Sequence, residues 1–179
     1  ILSESTVRDN ASWQGGGIAS NGTLAVVRSA LTDNAAGQPT DGSQGGAIFS
    51  AGTTTLVNST VSGNRAASGE SSDSTGAGIY VSSGAFTAES TTITGNTALA
   101  DPQSGGQRDS AIHRETPGTA TVTLSRTIVT GTSPIPFFGP CEGGPFAGQN
   151  NLFGHTSCGT PVADPLLGPL HMNGGTTST

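Results

Sequence analysis

Three groups of residues in this chain have side chains and spacings that could support chemistry. The densest is "RDSAIHRE", which brings Arg108, Asp109, His113, Arg114 and Glu115 into eight residues. An imidazole beside carboxylates is the usual equipment for proton transfer. The acidic residues form the second group. A hydrolase acting on sugars would need two carboxylates about 5–10 Å apart on neighbouring segments, and Asp9 and Asp33 recur at equivalent places in similar stretches. The third is the pair Cys141 and Cys158, 17 residues apart in a turn-rich region with no Cys/His grouping of zinc type.

Each group also has a plainer reading. Asp9 and Asp33 share a column that continues with Gly63 and Gly95, so they read as solvated turn residues. Asp41, Glu70, Asp73, Asp101 and Asp109 fall in insertions of unequal length, and no stretch has a calcium-loop pattern. No cofactor or metal is expected. With three histidines in the chain, a nucleophile triad cannot be composed with any specificity; His155 and His171 read as turn or packing residues. His113 reads as part of a surface charge cluster, and the cysteines as a disulfide, which implies an oxidising, extracytoplasmic setting. Closing a loop of that size contributes roughly 3 kcal/mol.

What must position these residues is an internal repeat. The units are "GGGIASNGTLAVVRSALTDN", "GGAIFSAGTTTLVNSTVSGN", "GAGIYVSSGAFTAESTTITGN" and "SAIHRETPGTATVTLSRTIVTGT", preceded by the half unit "ILSESTVRDN". Ile18, Ile48, Ile79 and Ile112 align in one column; Leu2, Val26, Leu56, Ala88 and Leu124 in a second; Val7, Leu31, Val61, Ile93 and Val129 in a third. Apolar residues alternating with small polar ones indicate short strands, three per unit.

The spacing from Val7 to Leu31 is 24 residues, and later spacings in that column lengthen to 30, 32 and 36. Most of the growth falls between an asparagine column and the next glycine-rich start, as loops inserted at one corner would produce. Three strands in about 24 residues make one coil of a parallel β-helix, where like residues stack at about 4.8 Å. An all-β, right-handed parallel β-helix is therefore expected, with coils over 1–132 and an irregular, disulfide-clipped region over 133–179 that begins a further coil.

Asn10, Asn34, Asn64 and Asn96 form the asparagine column. It is expected to run as a structural ladder whose members take left-handed turns and hydrogen-bond along the stack, ending where Thr132 replaces asparagine. Two outward features could recognise ligands. Ala19, Phe49, Tyr80 and His113 follow the isoleucines and are expected to stack as a stripe of outward rings: either an exposed platform able to bind sugars or proteins, or, the reading preferred here, a satellite core over which the long loops fold. Thr23, Thr53 and Thr121 run beside Thr55, Thr87 and Thr123, an array like that of ice-binding solenoids. Threonines on the third strand, including Thr6, Thr32, Thr60 and Thr92, mean that residue type alone does not single out one face.

The tandem "GGxI…TLxxxNSTVSGN" units resemble secreted bacterial right-handed β-helix proteins with polymorphic outer-membrane-protein-like repeats. "CEGG", "NNLFG", "SCG" and "DPLLGPLHMNGGTTST" resemble, in order, the tail of the choice-of-anchor Q group. That resemblance implies a large, exported, surface-associated protein of a group without an assigned activity.

Composition narrows the classes further. The chain has 28 glycines in 179 residues, no lysine and a net charge of −6, which opposes nucleic-acid binding. No apolar run approaches the ~18–20 residues of a membrane span. The repeat is cut in mid-course at both ends, so a longer polypeptide or covering subunits are expected. The function expected is a non-catalytic extracellular scaffold, filament component or adhesin. Its partners would be other protein subunits or surface glycans, with end-to-end or lateral self-association. The alternatives are a carbohydrate-binding or polysaccharide-cleaving β-helix using Phe49, Tyr80 and His113, and ice binding through the threonines.

Overall fold

The structure is a computed structural model and describes residues 1–38, 42–68, 74–99, 111–131 and 139–160. Every strand pairing among the described residues is parallel and joins equivalent positions of successive coils, which makes the chain a parallel β-helix. Like residues stack as their columns require. Ile18, Ile48, Ile79 and Ile112 pair in series, as do Val7, Leu31, Val61, Ile93 and Val129. These residues, with Leu56, Phe86, Val122 and Leu124, line one continuous interior. A coil carrying only a few apolar side chains is thus stable because each packs on its equivalent above and below rather than on partners in its own coil.

Each complete coil has four walls, not three. The first wall is Ile18–Ser20, Ile48–Ser50, Ile79–Val81, Ile112–Arg114 and Cys141–Glu142. The second runs from Leu2–Ser3 through Thr23–Val27, Thr53–Val57, Ala85–Glu89 and Thr121–Ser125 to Ala147–Gln149, and the third from Thr6–Arg8 through Ala30–Thr32, Thr60–Ser62, Thr92–Thr94 and Ile128–Val129 to Leu152–Phe153. The additional wall, Ala11–Ser12, Ala35–Gln38, Arg65–Ser68 and Thr97–Leu99, occupies the start of what reads in sequence as inserted loop. Its inward residues are alanines: Ala66 and Ala98 pack with Ala77 in a small second core. Alanine in a glycine- and serine-rich setting gives little hydrophobic contrast, which hides the strand from a periodicity reading.

The doubled glycine of the repeat has a steric cause. A Cβ on Gly46 would lie 2.2 Å from the Ala77 carbonyl oxygen and 2.5 Å from that of Arg65, so backbones from two coils close on this point. The left-handed turns also differ from expectation. Positive φ falls on Asp9, Asp33, Gly63 and Gly95, one residue before each ladder asparagine, which frees the amides to bond along the stack. Asp9 and Asp33 are thus turn residues, with Arg8 paired to Asp9 at 2.7 Å.

Pairing continues past residue 132. Cys141 pairs with Ile112, Gly148 with Leu124 and Phe153 with Val129, so residues 141–153 form a fifth coil in register. Cys141 and Cys158 are disulfide-bonded with Cα atoms 5.0 Å apart, and both are buried. Phe146 and Phe153 join the main core beside them. Thr132, Phe137, Phe138, His171 and the "DPLLGPL" stretch lie outside the described residues.

Candidate functional site

The structure brings the ring stripe together. Tyr80 pairs with Phe49 on one side and His113 on the other along the first wall. Because parallel pairing puts equivalent side chains directly over one another, the rings stack face to face: 5.6 Å and 6° between Phe49 and Tyr80, 4.6 Å and 3° between Tyr80 and His113. The stripe is not an open platform, however. Tyr80 is 4% exposed and His113 9%, while Phe49 is half-buried. Alternation predicts which way a side chain points, but not whether other parts of the chain lie over it.

Two carboxylates complete the cluster. The Tyr80 hydroxyl donates to Glu115 Oε2, which lies 3.9 Å from His113 Nε2. On the opposite edge of the imidazole, Glu142 Oε2 lies 3.3 Å from Nδ1. Glu142 stands directly over His113 in the first wall, as the fifth member of the stripe. Its signal in sequence is slight: "PCEGG" matches "AIHRE" only if cysteine is allowed to replace the column isoleucine. Arg114, next to His113, donates from Nη2 to the Gly143 carbonyl of the fifth coil. Arg108 and Asp109 lie outside the described residues, as do Asp41, Glu70, Asp73 and Asp101. Among the described residues no group of three His, Cys, Asp or Glu side chains could hold a metal ion, and no helix is long and apolar enough to cross a membrane.

The asparagine column is a ladder of buried amides. Asn34 Oδ1 accepts from Asn10 N and Nδ2 at 3.2 and 3.0 Å, Asn64 Oδ1 from Asn34 N and Nδ2 at 3.0 Å each, and Asn96 Oδ1 from Asn64 N and Nδ2 at 3.0 and 2.9 Å. The Nδ2 of each of the three later asparagines also donates to a carbonyl of the preceding coil, Asn34 to Val7, Asn64 to Leu31 and Asn96 to Val61, whereas that of the exposed Asn10 donates to the Arg8 carbonyl of its own coil. Oxygen and nitrogen are both satisfied, which is what makes a fully buried amide tolerable.

A second ladder, at the corner between the second and third walls, has no counterpart in the sequence reading. Ser5 N donates to Ser29 Oγ at 3.1 Å, Ser29 N to Ser59 Oγ at 3.2 Å and Thr127 N to Asn151 Oδ1 at 3.0 Å. The hydroxyls of Ser29, Ser59, Thr91 and Thr127 donate back to carbonyls two residues earlier. The signal was present as Ser5, Ser29, Ser59, Thr91 and Thr127 at a fixed offset from the second column, concealed because serine and threonine abound everywhere in the chain.

The threonine walls differ in exposure. Thr23, Thr53, Thr121 and Thr123 on the second wall are exposed, whereas Thr32 and Thr60 on the third are buried. Thr54, between two outward threonines, points inward and shares a 2.8 Å hydrogen bond with Ser50. The separation is partial, since Thr6 on the third wall is also exposed and Thr55, Thr87, Thr92 and Thr94 are all intermediate. Against known proteins, no family model, no curated protein and no solved structure matches the chain.

Proposed function

We propose that this chain is an extracellular structural β-solenoid: a rigid, non-catalytic scaffold, filament component or adhesin of the bacterial surface. One observation carries the reading. The recurring polar side chains with the most hydrogen-bonding capacity, the asparagines and the corner hydroxyls, are directed into neighbouring coils, with Asn34 and Asn64 fully buried. Such a repeat rigidifies a rod and leaves little recurring polar capacity for a substrate. The disulfide supports an oxidising compartment. The resemblance of the repeats and tail to exported bacterial β-helix proteins supports the bacterial surface and its subunits or glycans as partners.

Negative-stain electron microscopy tests this reading, with ordered rods or filaments expected from the purified chain. Dispersed particles combined with glycan-array binding that disappears in Tyr80→Ala would replace it with carbohydrate recognition. A second reading draws on the outward threonines of the second wall: the rows of Thr23 with Thr53 and of Thr55, Thr87 and Thr123 are in register and carry no charge, with Thr23, Thr53 and Thr123 exposed. Binding of ice by this face would show as thermal hysteresis in dilute solution, lost in Thr53→Lys.

A further inference from the structure

His113 occupies a place that no ladder residue shares. Its ring belongs to the fourth coil, one carboxylate near it belongs to the same segment, and the other belongs to the fifth. The side chain is 11% exposed, against 42% for Glu115 and 36% for Glu142. Both glutamates are partly exposed, but the imidazole between them is covered and so is the Glu142 Oε2 that faces it. Tyr80 stacks against one face of the ring and holds Glu115 through its hydroxyl. Gly76 backs onto the histidine, its would-be Cβ 3.1 Å from His113 Cβ. Among the described residues, the charged groups facing this corner are Glu115, Glu142 and Arg114, whose guanidinium is engaged by the Gly143 carbonyl.

We propose that His113 is a proton-operated clamp between the fourth and fifth coils, drawing Glu115 and Glu142 together across its two ring nitrogens when the imidazole is charged. Both nitrogens then carry a hydrogen, so the cation can engage both carboxylates at once; a neutral ring has one N–H and must leave one carboxylate with a lone pair facing it. Burial and the Arg114 charge oppose protonation, while two carboxylates and the Tyr80 ring favour it. The clamp requires the two carboxylates, at 3.3 and 3.9 Å from the ring nitrogens, to outweigh the opposing contributions.

The sign follows from linkage. A histidine that binds its proton more tightly in the folded chain adds stability fully present below its unfolded value, about 6.5, and lost as pH rises through the folded value. The clamp is therefore closed in acid and open in base. The fifth coil is the unit it loosens, with strand pairing still joining residues 141–153 to the fourth coil.

The test compares melting temperatures of the parent chain and His113→Gln from pH 5 to pH 8 in the oxidised protein. At pH 5 the parent should melt higher by about 2–4 °C, the shift that a stabilisation of one tenfold step or less gives in a domain of this size. The difference should shrink toward zero by pH 8, and a gap that is constant or widens with pH overturns the proposal. Glu142→Gln leaves the ring stack in place and should flatten the pH dependence of the parent. If neither variant folds, the carbon-bound imidazole proton of His113 in the parent decides, assigned with His155→Gln and His171→Gln. A midpoint above about 6.5 supports the clamp, and a ring that stays neutral throughout the range overturns it.

Discussion

Two corners of the solenoid use opposite means to hold successive coils together. Where the third wall turns into the fourth, Asn10, Asn34, Asn64 and Asn96 repeat one residue and one set of hydrogen bonds. On the first wall, Ala19, Phe49, Tyr80, His113 and Glu142 occupy equivalent positions, and no two are alike. The asparagine corner tolerates coil lengths of 24, 30 and 32 residues because the bonded groups lie at the turn itself, so insertions elsewhere leave them undisturbed. The ring corner changes character from coil to coil: apolar stacking at Phe49, a hydroxyl–carboxylate contact at Tyr80, an imidazole between two carboxylates at His113. Repetition supplies rigidity. Departure from repetition creates a place that can respond to conditions.

The largest test of this contrast removes the covalent clip at the end of the ring stripe. Cys158→Ser should destabilise the fold by roughly 3 kcal/mol, from the loop entropy regained by the unfolded chain. Calorimetry with and without reductant checks it, since reductant should lower the melting temperature of the parent and not that of the variant. Next comes the ladder. Asn64→Ala leaves the Leu31 carbonyl and the Asn34 amide without their partners in a buried setting, a loss of about 1–3 kcal/mol. Asn10→Ala, at the exposed end of the column, should cost clearly less when both are measured by denaturant unfolding. The smallest effect belongs to Tyr80→Phe. It keeps the stack and removes only the hydroxyl contact to a carboxylate that is 42% exposed, so the loss should stay below about 1 kcal/mol. A larger loss there would show that the ring corner, too, depends on a specific polar network.

Much of this architecture is legible in the linear chain. The isoleucine, valine and leucine columns fall where alignment of the repeats places them, and the asparagine ladder forms from all four named residues. Other features escaped for reasons of chemical contrast. The fourth wall is lined by Ala36, Ala66 and Ala98, too small to stand out among glycine and serine. The corner hydroxyl ladder is written in the commonest polar residues of the chain. Glu142 was overlooked as a partner of His113 because a cysteine takes the place of isoleucine in the fifth coil. The direction of Tyr80 and His113 is readable, and their burial agrees with the satellite-core reading rather than with an exposed platform.

The order of residues alone thus determined that the chain winds in parallel coils and which residues share a column, because parallel pairing sets equal positions of a repeat over one another. Only the tertiary structure decided which outward residues are covered, which threonines are exposed and which unlike side chains meet at His113. Those outcomes depend on neighbours contributed by other coils, and a repeat carries no record of how its unlike members are covered.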